Sequence, residues 1–234
     1  YAAAAWEGKP GGHVTHAALC YFMAQLEPGI SCPLTMTYAA VPALQNDADL
    51  AKAWGPKLIA RHYDPSVRPL SAKQGVTMGM AMTEKQGGSD VRANSTTAVR
   101  DGDGYRLTGH KWFCSAPMCD GFLTLAQAPE GLTCFLVPRW LEDGNRNTMH
   151  LQRLKDKLGN RANASSEIEY HNTLAYRLGD EGQGVKTIIE MVHHTRLDTA
   201  MAPAGLMRAA LSAAKWWSSH RSACPRRLTD QPLM

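Results

Sequence analysis

The period of the apolar positions changes twice along this 234-residue chain. From His13 onward, Val14, Ala17, Ala18, Tyr21 and Met23 to Leu26 recur at helical spacing, and Glu27-Pro28-Gly29 ends the segment. The same pattern predicts a helix from Leu34 towards Leu44 and another from Asp47 to Ala60, after which 61–75, with Pro65 and Pro69, reads as a connector. From Val76 to about Gly179 the period drops to two. Tyr105 and Leu107 alternate with Arg106 and Thr108, and Ile168 and Tyr170 alternate with Glu167 and Glu169. The runs 122–126 and 132–137 are continuously apolar and predict more deeply buried strands. Turn sequences at 101–104, 128–131 and 143–144 separate the strands, so this stretch predicts a small antiparallel β domain. Past the glycine-rich 179–184 the helical period returns, with Val185, Ile188, Ile189 and Val192 on one face and Leu197, Met201, Met207 and Leu211 later. Pro203 is expected to kink that helix. The expected division is 1–75 helical with its connector, 76–181 β, and 182–234 helical.

Composition changes this picture little. With 44% apolar and 20% charged residues the chain can bury a sizeable core and is not a disordered segment. Its net charge of +4 is too small to argue for nucleic acid. Arg208, Lys215, Arg221, Arg226 and Arg227 nevertheless fall in a stretch free of acidic residues between Asp198 and Asp230, which reads as a solvated helix face or as a phosphate contact. No two of Cys20, Cys32, Cys114, Cys119, Cys134 and Cys224 make a C-x-x-C pair, so neither a zinc site nor a disulfide scaffold is expected. Free thiols in a reducing cytoplasm are. There is no signal-peptide pattern and no apolar run of membrane-spanning length. Adjacent His193 and His194 project about 100° apart on a helix and suit packing better than one shared metal.

The chemically informative stretch is Met80-Ala81-Met82-Thr83-Glu84-Lys85-Gln86-Gly87-Gly88-Ser89-Asp90, an apolar strand running into a Gly-Gly-Ser-Asp turn. Such a strand can aim main-chain groups at a flat heterocycle, and the glycines admit an anionic group close to backbone N–H donors. Ala81 to Ala93 resembles, position by position, the signature of the acyl-CoA dehydrogenase flavoproteins. Three more segments resemble the same family in the same order: Gly109-His110-Lys111-Trp112-Phe113-Cys114-Ser115, Lys157-Leu158-Gly159-Asn160-Arg161, and the glycine-rich 178–184. Met82 to Val91, His110 to Phe113, Arg153 to Arg161 and Asp230 to Met234 are similar to its adaptive-response branch. The resemblance implies an α+β fold in which an antiparallel β-barrel domain sits between two helical domains. It covers the middle of such proteins, with helical parts expected before Tyr1 and after Met234.

The resemblance further implies FAD as cofactor and α,β-dehydrogenation of an acyl-CoA thioester. It assigns the Thr83 hydroxyl and nearby main chain to the pyrimidine edge of the flavin, Gly88 and Ser89 to the pyrophosphate, Ser115 to N5 and Phe113 to a stacking position, and it counts Met80, Met82 and Cys114 among the cofactor-binding residues. Taken without their motifs, Thr83 and Ser115 would read as turn or strand hydroxyls, which the motif context reverses, and Phe113 also suits core packing. Trp112 is expected to face away from Phe113. Arg221 stands where relatives carry an Arg-x-x-Phe-Gly motif that meets the pyrophosphate across a subunit interface, but here the sequence continues Ser222-Ala223-Cys224-Pro225. Glu84 belongs to the family's framework and is not expected to act as a base. The carboxylate that takes the α-proton lies elsewhere in the family. One position used for it corresponds to Thr195, which cannot do so, and Asp198 is expected to face elsewhere, solvated or ion-paired. The catalytic residue is therefore unassigned. The branch also implies a homotetramer and a duplex-DNA-binding region beyond Met234, so a DNA-alkylation-response protein with structural FAD stands as an alternative, and an acyl-CoA oxidase as a second.

Overall fold

The computed structural model describes residues 1–232. Leu233 and Met234, which end the Asp230–Met234 segment, lie outside the described residues. Four helices come first: α1 (Ala2–Trp6), α2 (Gly12–Ala24), α3 (Ser31–Leu44) and α4 (Ala48–Leu58). The Ala-rich start, for which the periodicity predicts no element, forms α1, and its small side chains Ala2, Ala3 and Ala5 let it lie close on its neighbours. At the start of α4 the Asp47 carboxylate accepts from the N–H groups of Asp49 and Leu50, an N-cap that satisfies two otherwise unpaired donors. The α3 helix is tied to the sheet where the Thr37 hydroxyl accepts from Met78 N–H at 3.1 Å.

Seven strands follow: β1 (Met78–Ala81), β2 (Thr97–Asp101), β3 (Gly104–Ser115), β4 (Gly121–Ala128), β5 (Gly131–Pro138), β6 (Met149–Leu154) and β7 (Ser165–Leu178). Their order β4-β2-β3-β7-β5 closes on itself through the β4–β5 pairing, with β1 beside β4 and β6 beside β7. The barrel is not wholly antiparallel as expected. A closed ring of five strands cannot alternate direction all the way round, and the mismatch falls at β2–β4, which pair in parallel at Thr97 and Gln127. Strand β1 also runs parallel to β4, Met78 opposite Gly121. The buried runs of β4 and β5 follow from having one face on the barrel interior and the other beneath helices. Phe122, Phe135, Leu107, Leu136, Ile168 and Tyr170 fill this core.

The last large element is α5 (Gly184–His220), 37 residues long. It continues through Pro203, whose missing amide donor leaves the Thr199 carbonyl without its helical partner. Its buried face is Gly184, Thr187, Ile188, Met191, Asp198 and Gly205, whereas Leu197, Met207 and Leu211 of the predicted stripe are exposed. Gly184 and Gly205 are contact points: a Cβ would come within 2.6 Å of the Thr133 carbonyl carbon and 2.3 Å of the Tyr21 carbonyl oxygen, respectively. A short hairpin, β8 (Ser222–Ala223) and β9 (Arg226–Arg227), follows α5. All six cysteines are free thiols. Among the described residues no helix is long and apolar enough to cross a membrane.

Candidate functional site

A cavity of about 460 Å³ lies where α2, α3 and α5 meet the ends of β1 and β3. The sheet supplies Met80, Met82, Thr83, Phe113 and Ser115 to its wall, and α5 supplies Thr195, Asp198, Thr199, Ala202, Pro203 and Leu206. On β1, Met78 and Ala81 are fully buried, while Met80, nearer the end of the strand, is half-buried and lines the cavity. On β3 a bulge between Lys111 and Cys114 breaks the alternation, since three steps on β3 match two on β7. Lys111 and Cys114 therefore both go into the barrel interior, and Phe113 is left 49% exposed at the cavity.

The bulge corrects one expectation. Trp112 does not line the cavity, yet it does not simply oppose Phe113. The Lys155 ammonium lies 3.3 Å from the Trp112 ring centroid and 4.6 Å from that of Phe113, so one cation serves both rings. Lys155 is held in turn by Glu167 at 2.7 Å.

Five of the nine residues assigned from sequence thus converge: Met80, Met82, Thr83, Phe113 and Ser115. Gly88 adjoins them, because a Cβ there would sit 2.9 Å from the Thr83 hydroxyl oxygen. Ser89 is exposed on the loop after Gly88. The Cys114 side chain is fully buried in the core, away from the cavity, and only its backbone is placed between Phe113 and Ser115. Arg221 is exposed beyond the end of α5. It lies 15 residues past Leu206, roughly 22 Å along the helix, and does not meet the cavity.

Glu84 is a framework carboxylate, as read. It is fully buried and accepts from Ser95 N–H at 2.6 Å, the Ser95 hydroxyl at 2.8 Å, Thr96 N–H at 3.2 Å and Lys111 Nζ at 2.8 Å. Burial pushes this carboxyl up, but the Lys111 charge and the hydroxyl and amide donors outweigh it and hold it down at about 2. A carboxylate so occupied is a poor proton acceptor.

The helical wall was less visible in sequence. Cys20, Ser31, Cys32, Thr35 and Met36 reach the cavity from α2 and α3 without any motif to mark them. Asp198 shares the cavity face with Thr195, correcting the expectation that it faces elsewhere: residues three apart on a helix are neighbours. It is also paired, as expected, with its carboxylate oxygens 2.8 and 2.9 Å from His16 Nε2. The Thr35 hydroxyl donates to Asp198 Oδ2 at 2.5 Å. Burial, then the Asp198 charge, pushes the neighbouring Cys20 thiol up to about 12.

Two family models match this chain: the adaptive response protein AidB N-terminal domain over residues 1–65, and the acyl-CoA dehydrogenase middle domain over 79–173. The chain is 47% identical to the AidB protein of Escherichia coli over 98% of its own length and 43% of that protein's. Acyl-CoA dehydrogenase family member 11 of Caenorhabditis elegans is 36% identical over 87% of this chain and 34% of its own. The crystal structure of Caenorhabditis elegans ACDH-11 in complex with C11-CoA superposes with a TM-score of 0.87 at 32% identity, covering 99% of this chain and 41% of that one. Glutaryl-coenzyme A dehydrogenase, at 24% identity and a TM-score of 0.81, shares the fold. The chain belongs to the acyl-CoA dehydrogenase family, on its adaptive-response branch. It spans less than half the length of these curated relatives.

Proposed function

We propose that this chain is the flavin-binding part of an oxidoreductase that dehydrogenates an acyl-CoA thioester at its α and β carbons. The observation that carries the reading is the convergence of Met80, Met82, Thr83, Phe113 and Ser115 on one cavity roofed by α5. Members of this family generally use FAD, and the residues fit it. Thr83 and Ser115 bring hydroxyls to the cavity, and Ser115 accepts a bond from Asn163 at the 3.5 Å limit. The half-exposed Phe113 offers a ring face, and the Gly87-Gly88 turn, with Gly87 at φ 115°, brings the side-chain-free backbone of Gly88 beside Thr83. When bound, FAD supplies a two-electron acceptor for the β-hydride. The residues here orient that group and exclude water from it: the methionines and Leu206 make the walls apolar, and Thr83 and Ser115 fix position by hydrogen bonds. The C11-CoA held by the similar nematode protein supports an acyl-CoA substrate.

Proton abstraction in this reading belongs to a carboxylate outside these residues, so the chain alone is expected to show no turnover of an acyl-CoA with an artificial electron acceptor. Six free thiols support a reducing, cytoplasmic setting, and a homotetramer is part of the same proposal. The deciding experiment is a visible spectrum after incubation with excess FAD and removal of free cofactor. A retained flavin spectrum, lost or weakened in Thr83→Val and Ser115→Ala, is expected. A folded chain that releases all its FAD overturns the reading of the cavity wall as self-sufficient. A second reading, duplex-DNA binding, draws on exposed Arg221, Arg226 and Arg227 at the end of α5. Salt-dependent binding that falls when these three are neutralised would support it. Peroxide formed under air would mark an oxidase instead.

A further inference from the structure

The helical wall of the cavity carries a cluster that the dehydrogenation reading leaves unused. His16 and Cys20 are four residues apart on α2 and so share a face, and Asp198 meets them from α5. All three are buried, and one ligand-type atom from each lies within 4.8 Å of the others. We propose that His16 Nε2, Cys20 Sγ and an Asp198 carboxylate oxygen form a site for a divalent transition-metal ion of the zinc type, with its fourth position open to the cavity.

Geometry argues first. Zinc bonds of about 2.0–2.3 Å to N, O and S in a tetrahedron place an N and an S ligand roughly 3.5 Å apart, and His16 Nε2 and Cys20 Sγ stand at 3.6 Å. The His16–Asp198 pair, at 2.8 Å, would open by about half an ångström, a side-chain adjustment. Surroundings argue next. Thr35 holds Asp198 Oδ2 and leaves Oδ1 for the ion, and the Tyr38 ring stacks on the imidazole with centroids 3.8 Å apart, fixing its plane. His16 Nδ1 is buried with no hydrogen-bond partner among the described residues, so the only hydrogen bonding of the ring found there is through the nitrogen that points into the cluster. Cys20 and Asp198 also line the cavity, where water or a ligand oxygen can complete the tetrahedron.

Charge argues last. A Cys20 thiolate and the Asp198 carboxylate neutralise a divalent ion, so the filled site carries no net charge into the buried wall. On binding, the Cys20 proton leaves to solvent and Nε2 must be free of its proton to ligate, so at least one proton is released per ion and affinity rises with pH.

The test is a titration of the chelator-stripped chain with Co²⁺. One equivalent should produce a thiolate-to-cobalt charge-transfer band with the visible bands of a four-coordinate ion, and Zn²⁺ should displace it. Cys20→Ser should abolish the charge-transfer band, Thr35→Val should weaken binding about 10-fold, and Cys224→Ser, at the exposed thiol, should change nothing. No band, or one that survives in Cys20→Ser, overturns the proposal. Should Cys20→Ser fail to fold, X-ray absorption of the Zn²⁺-loaded wild-type chain decides. One sulfur in a shell otherwise of nitrogen and oxygen supports the site, and an all-nitrogen-and-oxygen shell overturns it. None of these readouts depends on FAD or an acyl-CoA, so failure here leaves the dehydrogenase reading standing.

Discussion

Single residues divide here into those whose role shows in their own segment and those whose role depends on a partner far along the chain. Glu84 shows the first kind at its most consequential. Its carboxyl, at about 2 in the folded chain against roughly 4.3 unfolded, contributes stability that is fully present above the unfolded value. That contribution is lost as pH falls towards 2. Glu84→Gln should therefore cost about 3–5 kcal/mol at neutral pH, because it strands the buried Lys111 ammonium, and should flatten the acid limb of stability below about pH 4. Urea melts of both proteins between neutral pH and pH 3 measure this. A variant as stable as the parent at neutral pH would mean the pair adds nothing.

Thiols give a second residue-scale expectation. Burial pushes Cys119 and Cys134 up to about 12, and Cys114 is likewise raised and fully buried, whereas Cys224 sits exposed in the β8–β9 turn. Only the thiolate reacts, so a maleimide or disulfide reagent at neutral pH should label Cys224 within the first minutes and the three barrel cysteines only after denaturation. Peptide mapping of labelled sites reads the outcome. At this scale the sequence marked Thr83, Phe113 and Ser115 because their motif lies on two short segments. His16, Thr35 and Asp198 stayed invisible as a set because 163 and 182 positions separate Asp198 from its two partners, and no local spacing encodes such a meeting.

At the scale of elements, strands announced by alternation or by a continuous apolar run were legible, and departures from both patterns were not. The runs of β4 and β5 stood out because both faces are covered. β6 did not, since five of its six residues are exposed and its pattern is set by pairing to β7 alone. The β3 bulge is invisible in sequence, yet it decides that Phe113 rather than Cys114 meets the cavity. Helix α5 offers a sharper test. It touches α2 through Gly205, where a Cβ would come within 2.3 Å of the Tyr21 carbonyl oxygen, a backbone atom that cannot swing aside. Gly205→Ala should thus cost about 1–3 kcal/mol by overpacking, although alanine is the better helix former. It should also loosen the cavity, which lies between the same helices. A denaturant midpoint unchanged or raised in Gly205→Ala would show that α2 and α5 separate without cost.

The whole molecule is unevenly built, and its two ends of stability can be named. The closed barrel is paired strand to strand around its ring and filled by a continuous core, so its amides open only with the global transition. The far half of α5 has no comparable cover: Leu206, Met207, Leu211, Trp216 and Trp217 are each 43% exposed or more, and no residue from 206 to 220 is buried. A helix without tertiary contacts of its own is marginal in water, because packing of an apolar face supplies most helical stability. Hydrogen exchange should therefore find β3, β4, β5 and β7 slowest, α5 up to Gly205 intermediate, and 208–220 fastest among the helical segments. The order follows from where the contacts lie. Running the exchange at two protein concentrations adds a control, since a second copy seated on the exposed stripe would slow 208–220 only in the concentrated sample. Protection of 208–220 equal to that of β4 at both concentrations would contradict the uneven distribution of stability argued from these contacts.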